Sequence, residues 1–258
     1  SSITDPFGFP ILTVLIVLPL AWALVLPFLR ENRTVRVVAL AGAGLELVLS
    51  LVMLAALRPE VAGMQLVERA SWIPSLNVHY LVGIDGIAAL FPPLTALLFC
   101  GVILSSWTSI QSMPRLYFAL LLGLESAIMG VFCALDLVLF FLFWELTLVP
   151  IYFLVSLWGI GPERRFAAVK YTLFMLAGGI PLLFAILLLG LYPTDGAGTL
   201  IFDYPTLLEK PLPSALQATV FLLLFVGFAV KAPLFPFHTW LPTVLREGPV
   251  GLSALLVG

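Results

Sequence analysis

Seven long apolar runs separated by short polar connections organise this chain. A helix needs about 20 mostly apolar residues to cross a bilayer. Runs of that length predict spans at roughly 9–29, 35–57, 81–105, 115–134, 136–158, 167–192 and 216–240. An eighth run opens near Gly251 and stops after about one and a half turns, too short to cross, so the sequence is expected to be the front part of a longer protein. Because it begins Ser1-Ser2, a few residues are expected to be missing there as well. No Lys or Arg precedes the first run and no small-residue cleavage pattern follows it, so it reads as a true helix rather than a signal peptide. The longest polar connections, Arg58–Tyr80 and Pro193–Ser214, are too short for a soluble domain. The pattern predicts an all-α, polytopic membrane helix bundle.

Composition agrees: 62% of the 258 residues are hydrophobic, 10% are charged, and the mean hydropathy is +1.16, well outside the balance of a soluble domain. The charges add an orientation. Placing alternate connections on one face collects Arg30, Arg33, Arg36, Arg115, Arg164, Arg165, Lys170 and Arg246. The other face has only Arg58, Arg69 and Lys210 as basic residues, against Asp5, Glu60, Glu68, Asp195, Asp203 and Glu209. Basic loops stay on the cytoplasmic side, so the first face is expected to be cytoplasmic, or its matrix or stromal equivalent, with the N-terminus opposite.

Four ionisable groups remain well inside apolar runs: Glu46, Glu125, Glu145 and Lys231. Such groups are costly at membrane depth unless they pair, neutralise or face water, which makes them pathway or relay candidates. Glu145 lies in LDLVLFFLFWELTLVPIYFLVSLW, nine residues past Asp136, or about 14 Å along a helix and near the bilayer middle. Two readings stand: a protonated acid bonded to a neighbouring helix, or a carboxylate whose proton occupancy is switched by an approaching cation. Lys231, at the end of the run Ala218–Val230, is the natural cation. A pair that opens and closes would work as a gate for protons, whereas a static buried ion pair offers no clear gain over apolar packing.

The segment VKAPLFPFHTWLP follows, and Pro233 and Pro236 are expected to break the helix there. Irregular backbone at that depth is tolerated where it lines a cavity or is buried in protein. His238 is next in line, as a proton carrier or a structural histidine, and Trp240 is expected to anchor the membrane interface. Glu125, in LLLGLESAIMG, reads equally as an interhelical hydrogen-bond donor or a pathway group. Glu46 is expected to contact another helix or subunit. Lys170 either snorkels to the basic surface or marks the entrance to a path. Asp136 is expected to cap the fifth span and Asp85 the third. His79 reads as a surface loop residue, and Cys100 and Cys133 as core. No dinucleotide fingerprint, Walker A motif, cysteine set for iron–sulfur ligation or paired membrane histidines for haem is present in the sequence, so the chain is expected to carry no redox centre and no metal.

FFLFWELTLVPIYFL together with KAPLFPFHTWLP closely resembles the antiporter-like, proton-translocating membrane subunits of NADH:quinone oxidoreductase (complex I), in the branch that includes the NuoM and NdhD subunits, with kinship to Mrp-type cation/proton antiporter subunits. The resemblance implies a fourteen-helix fold with two inverted five-helix repeats, each containing a broken helix. Residues 1–114 would supply three N-terminal spans, and 115–258 the first repeat up to the start of its last helix. It also implies that Glu145 is the fifth-helix glutamate, Lys231 the pumping lysine of a broken seventh helix, Lys170 the group at the start of the sixth, and His238 the histidine of the PFHTWLP motif. The implied function is proton translocation coupled to quinone reduction by other subunits, in a bacterial plasma membrane, thylakoid or mitochondrial inner membrane. NAD(P)H or ferredoxin, iron–sulfur clusters and quinone would lie elsewhere in the complex. The partners implied are other antiporter-like subunits, small membrane subunits and lipids, with no nucleic acid. A sodium/proton antiporter subunit and a purely structural subunit are the alternatives. The stretch TWLPTVLREGPVGLSALLVG departs from the usual TWLPDAHxEAPxxxSxLLAG, with Thr243 for the aspartate and Leu245 for the histidine, while Glu247 and Pro249 remain.

Overall fold

The computed structural model describes residues 7–192 and 199–257. Asp5 and Asp195, two acids in the charge asymmetry, fall outside the described residues. In chain order the elements are α1 (Ile11–Val25), α2 (Asn32–Ala56), β1 (Gln65–Ile73), β2 (Val78–Ile84), α3 (Phe91–Ser105), α4 (Pro114–Cys133), α5 (Leu137–Leu146), α6 (Leu148–Trp158), α7 (Arg164–Leu191), α8 (Tyr204–Leu208), α9 (Ser214–Lys231), α10 (Trp240–Glu247) and α11 (Val250–Val257). Among the described residues seven helical segments are long and apolar enough to cross a membrane, with α5 and α6 together forming one, Leu137–Trp158. The chain is a multi-pass integral membrane protein. Leu20, Val48, Leu97, Leu173 and Phe221 lie exposed on the outside of the bundle, as side chains that meet lipid tails rather than water do.

Two spans differ from the hydropathy reading. The third starts at Ala88 rather than 81, because residues 78–84 form β2, which pairs antiparallel with β1. The connection read simply as polar therefore contains a β-hairpin. Its apolar residues Val82 and Ile84 are buried, and in the sequence they run on into the next helix without a polar break. His79 sits in β2 opposite Ser71 and is half-buried, not a surface loop residue. The seventh span ends at Lys231 instead of continuing to 240.

Each end of the bundle is tied together by hydrogen bonds. At the acidic end, Glu68 of β1 accepts the N–H groups of Leu12 (2.8 Å) and Thr13 (3.0 Å) and the Thr13 hydroxyl. It thereby satisfies donors that the start of α1 leaves free. Asp136 caps α5 as expected, accepting from Val138 and Leu139, and its other oxygen accepts from the His79 N–H at 3.0 Å. Asp85 accepts from Ile87 and Ala88 where the third span begins. Arg69 pairs with Asp203 at 3.6 Å. At the basic end, Arg115 donates to the Arg30 carbonyl, Arg36 to that of Ile110, and the Trp158 indole to that of Ser112. The connections after the first, third and fifth spans therefore meet at one end, as alternation requires.

Candidate functional site

The fifth span carries a local fault, and its cause is Pro150. A helical proline lacks an N–H and crowds the carbonyl four residues back, which here belongs to Leu146, the last residue of α5. Thr147 keeps helical dihedrals (φ −65°, ψ −24°), so the hydrogen-bond ladder is interrupted while the direction of the chain is kept. Two oxygens beside the fault serve as acceptors. The Thr147 hydroxyl donates to the Trp144 carbonyl at 2.7 Å. It accepts from Lys231 Nζ at 2.9 Å, and the same ammonium lies 3.4 Å from that carbonyl and 4.1 Å from the centre of the Trp144 ring, within cation–π range.

Glycines bring Lys231 to this point. On α7, a Cβ at Gly178 would approach Val230 to 2.8 Å, and on α9 a Cβ at Gly227 would come within 3.0 Å of the Gly178 carbonyl. The two backbones are in near contact, as small residues allow between membrane helices. Gly179 does something different: a Cβ there would collide with the Glu145 carboxyl. The notch it leaves receives that side chain. Within it Glu145 Oε1 is buried and has no hydrogen-bond partner.

Glu145 and Lys231 thus share one seam between α5, α7 and α9, and their charges interact. Among the described residues, however, no ion pair joins them. Lys231 rests on neutral groups supplied by the residues on either side of Glu145. An apolar cavity of about 490 Å³ opens between Leu135, Phe140, Leu182 and Phe228, and neither charged residue lines it.

The other predicted site residues lie apart. Lys170 is nine residues before Gly179 on α7, about 13 Å toward the basic end, and donates to the Thr243 hydroxyl of α10 at 3.1 Å. His238 is exposed, its ring against Phe235 with centroids 5.7 Å apart. Glu125 is fully buried and couples to Glu46, not to Glu145. Trp240 is not an interface anchor: it is 2% exposed, its indole donates to the Val230 carbonyl at 2.8 Å, and its ring meets Tyr171 edge-on. It fills the space where α9 has ended. Glu247 is also buried; it accepts from the Glu163 N–H at 2.9 Å, and its own carbonyl accepts from Gly161, which ties the α6–α7 connection to α10. Thr147, Trp144 and the Gly178-Gly179 pair were not singled out from the sequence. The signals for them were Pro150, four residues after Leu146, and a double glycine in the middle of an apolar run.

The family model for the membrane region of NADH:quinone oxidoreductase and Mrp antiporter subunits matches residues 134–258, which include both halves of this seam. The chain belongs to the antiporter-like subunits of complex I and the Mrp antiporters. It is 39% identical over 255 residues to NAD(P)H-quinone oxidoreductase chain 4 2 of Microcystis aeruginosa, a match that covers 97% of this chain and 45% of the relative. It superposes on a chain of respiratory complex I from Thermus thermophilus with a TM-score of 0.82 and 31% identity, covering 95% of this chain and 49% of that one. For a chain of the Mrp complex from Dietzia sp. the TM-score is 0.81 with 25% identity, covering 95% of this chain and 26% of that one. The chain spans about half the length of the curated relatives it matches.

Proposed function

We propose that this chain translocates protons across an energy-transducing membrane as part of a complex I-like assembly, driven by quinone reduction in other subunits. The observation that carries this reading is the arrangement around Thr147: a membrane-buried ammonium held by the Thr147 hydroxyl and the Trp144 carbonyl, from residues two after and one before Glu145, whose carboxyl has an unsatisfied buried oxygen. Moving Lys231 off Thr147 and onto Glu145 would turn neutral solvation into an ion pair, and the proton affinities of both groups would change with it. Lys170 and Thr243 lie toward the basic end, where protons are supplied to the seam, and His238 is the next carrier beyond the end of α9. In this reading the basic end faces the cytoplasm, matrix or stroma. Residues 1–114 form an N-terminal three-span unit, and 115–258 the first repeat of a fourteen-helix fold, in which α9, residues 232–239 and α10 make up the broken seventh helix. Its partners are other antiporter-like and small membrane subunits and the surrounding lipid. Nicotinamide or ferredoxin, iron–sulfur clusters and quinone are handled elsewhere in the assembly.

The test uses the full-length protein in its native complex, carrying Glu145→Gln or Lys231→Met. Both variants should assemble, while proton-coupled quinone reduction falls on the order of tenfold or more, since one positioned proton-transfer group contributes roughly 10²–10⁴ in rate. Normal coupled activity in both would refute the reading. The likeness to the Mrp complex chain supports a second reading, sodium/proton exchange, which requires that proton movement in sealed vesicles stop when sodium is removed.

A further inference from the structure

Away from the seam at Lys231, α2 and α4 bury a second pair of acids. Glu46 and Glu125 are both 0% exposed, and all four of their carboxyl oxygens are buried without a hydrogen-bond partner. Counted from the helix starts at Asn32 and Pro114, they lie about 21 Å and 16 Å from the basic end, both well inside the bilayer. The two groups interact electrostatically across the seam. We propose that Glu46 and Glu125 form a second proton-binding site, in which an acid O–H of one residue is shared with the other.

The surroundings leave the proton as the missing partner. Ser50, one turn beyond Glu46, donates its hydroxyl to the Leu47 carbonyl; Ser126, next to Glu125, donates to that of Ile16; and the Trp22 indole, beside Gly42, donates to that of Val38. These nearby donors are all committed elsewhere. The titratable groups coupled to the pair are Cys100 of α3 and Cys133 of α4, neither a cation. The side chains that α6 buries are apolar. Two ionised carboxylates with no hydrogen-bond partner and no cation acting on them are not stable at that depth. A proton satisfies one oxygen directly and gives the facing carboxyl a donor, which resolves part of an otherwise unexplained set of four orphaned oxygens.

The experiment is labelling of the assembled native complex in its membrane with an apolar carbodiimide, which adds across the O–H of a protonated buried carboxyl, followed by peptide mapping. The expected result is an adduct on Glu46 or Glu125 in the wild type that disappears as pH rises. In Glu46→Gln the pH midpoint for labelling Glu125 should move by about one unit or more, the mark of interacting sites. Wild-type labelling alone tests the site if the variant fails to assemble. The proposal is overturned if sodium ions at constant pH protect both acids, which would make this a metal-cation site. It is also overturned if neither acid reacts at any pH at which the complex is active and infrared spectra of wild type minus Glu125→Gln contain no protonated-carboxyl band. Because Lys231 and Glu145 take no part in this site, its failure would leave the proposed function standing.

Discussion

Two seams of this bundle bury acids at membrane depth, and they are solvated in opposite ways. Between α5, α7 and α9, Glu145 has a lysine within electrostatic reach, a broken hydrogen-bond ladder with usable oxygens, and a glycine notch cut to its carboxyl. Between α2 and α4, the carboxyl oxygens of Glu46 and Glu125 have no hydrogen-bond partner, and no cation acts on either acid. The first seam can redistribute charge by moving one flexible side chain. The second can change state only by gaining or losing a proton. Under the proposed function, burial alone does not define a switch: alternative partners within reach of the same ammonium do.

The contrast can be broken by substitution. The largest effect is expected for Gly178→Leu, which forces side-chain atoms into the contact with Val230 and separates α7 from α9. Overpacking of this kind costs about 1–3 kcal/mol. Reduced assembly of the complex on native gels, with loss of coupled activity in what remains, is the expected outcome. Thr147→Val comes next. It keeps the shape of the side chain and removes the oxygen 2.9 Å from Lys231, leaving a buried ammonium short of an acceptor at a cost of about 1–3 kcal/mol. The purified complex should melt at lower temperature and pump several-fold more slowly, while Thr147→Ser should restore both. The sign reverses at the other seam. Replacing both acids together, Glu46→Met with Glu125→Met, exchanges two carboxyls that have no partner beyond each other for apolar side chains of similar length, which is often neutral or stabilising. The melting temperature should stay the same or rise, and a fall comparable to that of Thr147→Val would erase the distinction between the seams. A loss smaller than that of Thr147→Val is expected for Trp240→Phe, which keeps a ring against Tyr171 and loses the bond to the Val230 carbonyl, at about 1 kcal/mol. Thermal melting of the same preparation measures it.

Hydropathy located all seven spans because lipid demands continuous apolar length, and the charges left inside those spans marked Glu145 and Lys231. The hairpin was hidden for the same reason: the apolar strand Val78–Ile84 runs into the third span, so a window that counts only apolar residues merges the two. The end of α9 at Lys231 was signalled by Pro233 and Pro236, yet Trp240 was misplaced. A tryptophan near the end of an apolar run is the same in sequence whether it meets lipid headgroups or, as here, packs into the space beyond a helix end. The partners of Lys231 were the least legible part of the site. A threonine two residues past a glutamate stands out only once Pro150 is seen to interrupt the ladder there.

The central claim is that Lys231, shuttling between Thr147 and Glu145, converts a conformational change into proton movement. The most direct test is the number of protons moved per pair of electrons in sealed vesicles containing the full complex with Glu145→Gln. The account predicts an assembled complex that still reduces quinone when uncoupled but moves fewer protons per electron pair than the wild type. An unchanged ratio in a fully assembled variant would contradict it.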